Sequence, residues 1–393
     1  MIRLGVVGYG NRINNLIRDS FREQEPSLRV VGVVDPDEAG ARARLAESDR
    51  EGVRFYRNLP DMVRRGKLDA LAIGTRCNRH ATYAVQAAKY DLPLFLEKPV
   101  AVSMRQALAL ERAFEKSRCP VVVSFPLRIS PLCELAHQYM AAGAVGRPDH
   151  VLAVNYVPYG TVYWETVYRD YQIVQGLFIQ KATHDFDYLH YLMGSPIVRV
   201  AAVATVGKIF GGNYKSPGTR CSTCREADDC PESPRNRKRH QSGRTADHFC
   251  VFGKDAGTPE AGMNEDSSSA LLEFASGAHG VYTQVFYTRR DAATRGATIS
   301  GYDGTLSFDW YKNELRRVRH HEPFTDTVAA GEGLSHFGGD VELARDFIRV
   351  IKKKSKPRTT IWMGIQSIYA CLAAKKSIET GEFVKVRQVG KAL

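Results

Sequence analysis

Short, wholly apolar runs alternate with stretches of helical periodicity over the first third of the chain. Residues 4–7, 30–34, 71–73, 94–96 and 121–123 read as strands, and 62–65, 81–89 and 104–116 as helices, the last capped by Ser103. Strands that are apolar on both faces and separated by helices imply a parallel sheet covered on two sides, so residues 1–124 are expected to form a doubly wound α/β Rossmann domain. From about residue 125 the pattern changes. A helix at 131–142 is followed by period-two alternation at 150–156, 198–206, 270–274, 279–287 and 297–300, which reads as a large, mostly antiparallel open sheet with one buried face. Residues 125–393 are expected to be an α+β domain. Within it, 211–267 is rich in Gly, Pro, Ser and charge and reads as an insertion. Helices within 341–380 are expected to pack back on the first domain, ahead of a last short strand at 384–386.

Length agrees with two domains: 393 residues exceed what one core of about 250 residues organises. No apolar run approaches the roughly 20 residues that span a bilayer. Met1 leads straight into the first strand, so no leader is expected and the assigned compartment is the cytoplasm. The net charge of +12 favours anionic partners. Its basic runs, at 235–239 and 352–354, come without any nucleic-acid motif and read as solvated surface, so neither nucleic acid nor membrane is expected as a partner.

The first chemistry lies between the first strand and the first helix. Gly8 and Gly10 frame a turn into Asn11 and Arg12, where a backbone without side chains lets a pyrophosphate approach a helix N-terminus. The third glycine of the full fingerprint is replaced by Ile13. Asp35, at the end of the second strand, supplies what the loop alone lacks, because a carboxylate there accepts ribose hydroxyls and repels a 2′-phosphate. The expected cofactor is NAD rather than NADP; an Asp that merely caps the next helix is the structural alternative.

Glu97-Lys98-Pro99 directly follows the strand at 94–96. With the Gly8/Gly10 loop, Thr75, His80, Arg128 before Ser130-Pro131, His184-Asp185-Phe186-Asp187, residues 299–304, His336 with Gly338-Gly339-Asp340, and Lys376-Ser377-Ile378 leading into Gly381, it makes the chain resemble the glucose-fructose oxidoreductase, inositol dehydrogenase and rhizopine-catabolism (Gfo/Idh/MocA) family. The resemblance implies hydride transfer between nicotinamide and a sugar or cyclitol carbon, and a second domain used for substrate and for homo-oligomer contacts, in a dimer or tetramer. It places Gly8, Gly10, Asn11, Arg12, Asp35, Thr75, Asn78, His80, Glu97, Lys98 and Arg128 at the cofactor. Lys98 becomes the first choice for contact with the reacting oxygen and His184 the second, with Asp187 as structural support. Where many sugar and inositol dehydrogenases of the family carry Asp four residues before this His, the chain has Gln180, then Lys181. Either His184 works with Lys98 alone, or Lys181 replaces the lost carboxylate electrostatically as a third catalytic group. A pocket with Lys98, Lys181, Arg128 and His184 suits an anionic sugar, with Gln180 lining it and Tyr159 and Trp164 stacking on the ring.

Cys221, Cys224, Cys230 and Cys250 have the close thiol spacing of a structural zinc site, with His240 or His248 as alternative fourth ligands; a redox pair or inert thiols are the other readings. Cys77, Cys119, Cys133 and Cys371 are scattered and expected to be free. Three functions are carried: an NAD-dependent sugar or cyclitol dehydrogenase, a glycosidase that oxidises its sugar transiently and re-reduces it, and a non-catalytic NAD-sensing regulator. Net NADH formation separates the first two.

Overall fold

The computed structural model describes residues 1–211, 215–257, 262–330 and 335–390; parts of the expected insertion, 212–214 and 258–261, lie outside them. The apolar runs become six parallel strands: β1 (Arg3–Val7), β2 (Arg29–Val34), β3 (Arg54–Phe55), β4 (Ala70–Ile73), β5 (Leu94–Leu96) and β6 (Val121–Val123). Their order, β3-β2-β1-β4-β5-β6, is that of dinucleotide-binding sheets. Side chains alternate between two cores. Val6, Val33, Ala72, Phe95 and Val122 face one side, whereas Val7, Val34, Ile73, Leu96 and Val123 face the other.

The first of those cores is closed by a helix from the far end of the chain. Gly339–Ile351 lays Leu343, Ala344, Phe347 and Ile348 on it, and Phe21, Phe95 and Phe347 meet at ring-centroid distances of 5.2 to 5.5 Å. Truncating a ring buried to this degree costs about 3–5 kcal/mol, so the Rossmann sheet depends on residues more than 200 positions away. The last long helix, Ile361–Thr380, is buried along most of its length, packs beneath the second sheet and also reaches β6. It starts at Thr360, whose hydroxyl accepts from the Met363 amide, and ends at Gly381 with φ of 72°.

Nine strands form the second sheet: β7 (Pro148–Tyr156), β8 (Ile197–Val206), β9 (Glu265–Phe274), β10 (His279–Val285), β11 (Thr294–Gly301), β12 (Gly304–Asp309), β13 (Glu314–Arg319), β14 (Thr325–Val328) and β15 (Val384–Lys385). The order is β14-β13-β12-β11-β7-β10-β9-β8-β15, antiparallel throughout except for β7 beside β10. One face, with Val151, Ala153, Leu272, Tyr282 and Ile299, is buried against the Thr183–Met193 and Ile361–Thr380 helices. The other exposes Leu152, Val203 and Leu271.

Between β8 and β9 the chain makes its excursion. The basic run there is not all solvated surface: Arg237, 1% exposed, pairs with Glu165 at 2.7 Å and with Glu232 at 2.5 Å, so it ties the Pro234–His240 helix to the body. All eight cysteines are free thiols. The expected zinc finds no support, because among the described residues no three His, Cys, Asp or Glu side chains are placed to hold a metal. Cys221 instead packs 3.6 Å from His248, whose ring nitrogens face the carbonyls of Phe249 and Glu232. Among the described residues no helix is long and apolar enough to cross a membrane.

Candidate active site

The C-terminal ends of β1, β4 and β5 lie side by side, since Val7 pairs with Ile73 and Ile73 with Leu96. The residues that follow these strands therefore share one edge. Gly8 turns at φ of 81°, and a Cβ there would lie 2.7 Å from the Thr75 backbone, so only glycine lets the two loops touch. Thr75 thus acts through its backbone. Gly10 opens the helix beginning at Asn11 with no side-chain cap, and the space over it is clear to 4 Å. Uncapped amides beneath open space fit a pyrophosphate, and Ile13, packed against Gly74, does not intrude. Asp35 caps no helix, as Asp37 does that by accepting from Gly40; its carboxylate accepts from the Tyr9 and Asp37 amides at 2.7 and 2.8 Å and stiffens the glycine turn.

Several residues expected at the cofactor are committed elsewhere. Arg12 grips both oxygens of Asp340 at 2.7 Å and donates to Glu97 at 2.9 Å, joining the Rossmann domain to the C-terminal helix. Glu97 also accepts from Ser124, and Asn78 donates to the Gln172 carbonyl at 3.4 Å. His80 is buried with both ring nitrogens within 3.0 Å of the Pro99 and Thr75 carbonyls, so it braces the two loops and has no edge left for a ligand. Arg128 departs furthest from expectation. Buried, it bonds Asp187 at 2.7 Å, lies over the Tyr191 ring and lines a separate cavity of about 230 Å³ with His190. Asp187 thus lends its structural support to Arg128. Trp164 is no stacking platform either: it is fully buried against Phe210 and Phe286.

Lys98, Gln180, Lys181, His184 and Tyr159 do converge. Lys98 Nζ donates to the Gln180 carbonyl at 2.9 Å, which seats it against the segment carrying Lys181. Burial and then the Lys181 charge lower the Lys98 pKa to about 8. Lys181, 5% exposed, donates to the Tyr159 hydroxyl at 2.7 Å, and burial lowers its pKa too. His184 is buried with Nδ1 unpartnered, edge-on to Phe125; burial, then the charges of Lys98, Arg295, Lys181 and His336, drive its pKa well below the ordinary imidazole value. It is therefore neutral at pH 7 and a weak base.

Four further residues of this site were not assigned from sequence. His336 bonds Asp340 at 2.9 Å and places its ring 6.4 Å from that of His184. Beneath Tyr159, Arg295 from β11 makes two bonds to Asp185, at 2.9 and 2.8 Å, and Asp185 also accepts from Tyr282 and Asn155. A buried ion pair formed by residues 110 positions apart leaves no local sequence signal. His336, Asp340 and Asp185 did stand in the family pattern, though without a role.

A dinucleotide-binding sheet that carries Lys98 at its ligand edge, met there by His184 from the Thr183–Met193 helix, defines a nicotinamide-dependent oxidoreductase fold. The chain belongs to the Gfo/Idh/MocA family: residues 2–125 match its oxidoreductase family, NAD-binding Rossmann fold, and residues 134–307 its C-terminal domain. The rhizopine catabolism protein MocA of Rhizobium meliloti is 26% identical over 215 residues, 54% of this chain and 63% of that protein. The NAD⁺-dependent scyllo-inositol 2-dehydrogenase of Bacillus subtilis is 24% identical over 210 residues, 51% of this chain and 56% of the enzyme. The matched stretches thus span less than two thirds of these relatives. In structure, levoglucosan dehydrogenase in complex with NADH and levoglucosan superposes with a TM-score of 0.76 at 17% identity, covering 98% of this chain and all of that one, a likeness of fold.

Proposed function

We propose that the chain transfers hydride between NAD and a secondary hydroxyl of a sugar or cyclitol, with an anionic substrate preferred. The observation that carries this reading is the meeting of Lys98 and Lys181 at the ligand edge of the Rossmann sheet: among the described residues neither makes an ion pair with a carboxylate, whereas Arg12 and Arg295 both do. Two largely desolvated ammonium groups raise the local affinity for an anion and for a developing alkoxide. Bound nicotinamide would supply the hydride acceptor. Gly8, Gly10 and the uncapped Asn11 helix would hold the pyrophosphate, and the Asp35 carboxylate disfavours a 2′-phosphate, which supports NAD over NADP. Lys98 donates a hydrogen bond to the substrate oxygen and stabilises its negative charge. His184, neutral, closes the apolar side of the pocket. The levoglucosan, inositol and rhizopine names among the similar proteins agree with a polyhydroxylated ring. The exposed face of the second sheet is the surface we assign to homo-oligomer contacts.

Incubation with NAD and matched panels of cyclitols, neutral sugars and uronic acids tests the reading by NADH absorbance. Stoichiometric NADH is expected, with a lower KM for the carboxylated sugar that rises with ionic strength. Cleavage of aryl glycosides without net NADH would overturn it.

A further inference from the structure

We propose that Tyr159, with Lys181 on its hydroxyl, is the acid–base group of this site, a phenolate that takes the proton from the substrate hydroxyl; the assignment rests on the dehydrogenase reading above. The geometry is specific. Tyr159 lies in the turn that follows β7, Lys181 ends the Leu177–Gln180 helix, and the ammonium both donates to the phenol oxygen at 2.7 Å and sits 4.8 Å from the ring centroid. Lys98, bonded to the carbonyl of the adjacent Gln180, places the substrate-oxygen donor beside this pair.

The same surroundings that disable His184 activate Tyr159. The protonated form of an imidazole is a cation, so neighbouring cations oppose protonation and weaken it as a base. The deprotonated form of a phenol is an anion, so those cations favour it. Tyr159 is faced by Lys181, Arg295, Asp185, Tyr163 and Tyr311. Burial by itself would raise its pKa and Asp185 adds to that, but Lys181 and Arg295 outweigh both, leaving Tyr159 below the ordinary tyrosine value. Tyr311, held well above the ordinary tyrosine value chiefly by burial, stays neutral beside it. Tyr163 is held far above the ordinary value by burial and stays neutral. Gln180, at the position where relatives carry an aspartate, cannot take a proton, and the Tyr159–Lys181 pair occupies the neighbouring space.

The step balances. The substrate C–H bond breaks with its electron pair leaving as hydride to nicotinamide, the O–H bond breaks with its proton passing to Tyr159 Oη, and the carbonyl forms. Tyr159 changes from phenolate to phenol and returns the proton to water, to which 39% of its surface is open.

The test is a pH titration of phenolate absorbance in the near ultraviolet, comparing the full chain with Tyr159→Phe and Lys181→Met, alongside the pH profile of kcat/KM. One tyrosine is expected to ionise below about 10. That transition should vanish in Tyr159→Phe and move upward in Lys181→Met. Oxidation should rise with pH through the same value, and Tyr159→Phe should lose about 10²–10⁴-fold in kcat while binding NADH normally. A difference spectrum without a low transition overturns the assignment, as does kcat within about threefold of the parent in Tyr159→Phe. If no polyol reduces NAD yet the low transition is present, the substrate reading fails and the phenolate stands.

Discussion

Lys98→Met removes one desolvated charge, and the size of the effect follows from the structure. The Lys98 pKa falls from 10.5 to about 8, chiefly by burial and then by the Lys181 charge. At about 1.4 kcal/mol per unit, discounted for partial exposure, holding the protonated side chain costs the fold roughly 2–3 kcal/mol. Methionine lifts that cost but also forfeits the bond to the Gln180 carbonyl, about 1.5–3 kcal/mol for a charged donor. The two nearly cancel at pH 7, so the variant should be within about 1 kcal/mol of the parent there. They do not cancel in alkali. Below pH 8 the folded and unfolded parent are both protonated and the cost is constant; between about 8 and 10.5 the unfolded chain binds more protons, so the parent gains stability as pH rises, and Lys98→Met does not. Thermal melts of both proteins from pH 7 to 10.5 should therefore diverge by a few degrees in favour of the parent, while kcat falls about 10²–10³-fold at neutral pH. A melting difference that is constant across that range would refute a desolvated, cation-repelled Lys98.

Two other substitutions probe separate parts of the account. Gly10→Ala meets no atom within 4 Å and keeps an allowed φ of −78°, so its unfolding free energy should change by less than about 0.5 kcal/mol while NADH affinity, read by fluorescence titration, drops at least tenfold. Arg128→Met leaves the fully buried Asp187 carboxylate unpaired and should destabilise by about 3–5 kcal/mol in thermal or urea unfolding, with the substrate KM unchanged in the residual folded enzyme.

The parallel sheet was legible because its strands are apolar on both faces and its crossings are helical, signals confined to a few residues. β3 was not, since two residues, one of them Arg54, carry no periodicity. β13, with the sequence Glu-Leu-Arg-Arg-Val-Arg, hides for a different reason: it is near the sheet edge, where charge is tolerated on both faces. At the site, Gly8, Gly10, Asp35 and Lys98 announced themselves through local spacing, and the structure brings Lys181, His184 and Tyr159 to Lys98. Arg128 and Trp164 were misplaced because residue type suggests what a side chain can bind and not which way it points. Asp187 claims the one and the aromatic core the other. Arg295–Asp185 could not be foreseen, as β11 and the Thr183–Met193 helix meet only in the folded chain.

Hydride transfer is the central claim, and the fate of a deuterium on the reacting carbon tests it most directly. With a cyclitol or uronic acid labelled at that carbon, one deuterium per turnover should appear in the reduced nicotinamide, with Lys98→Met slowing the transfer without diverting it. Label that stays in the sugar, or exchanges into water while NAD is unchanged, would contradict the account.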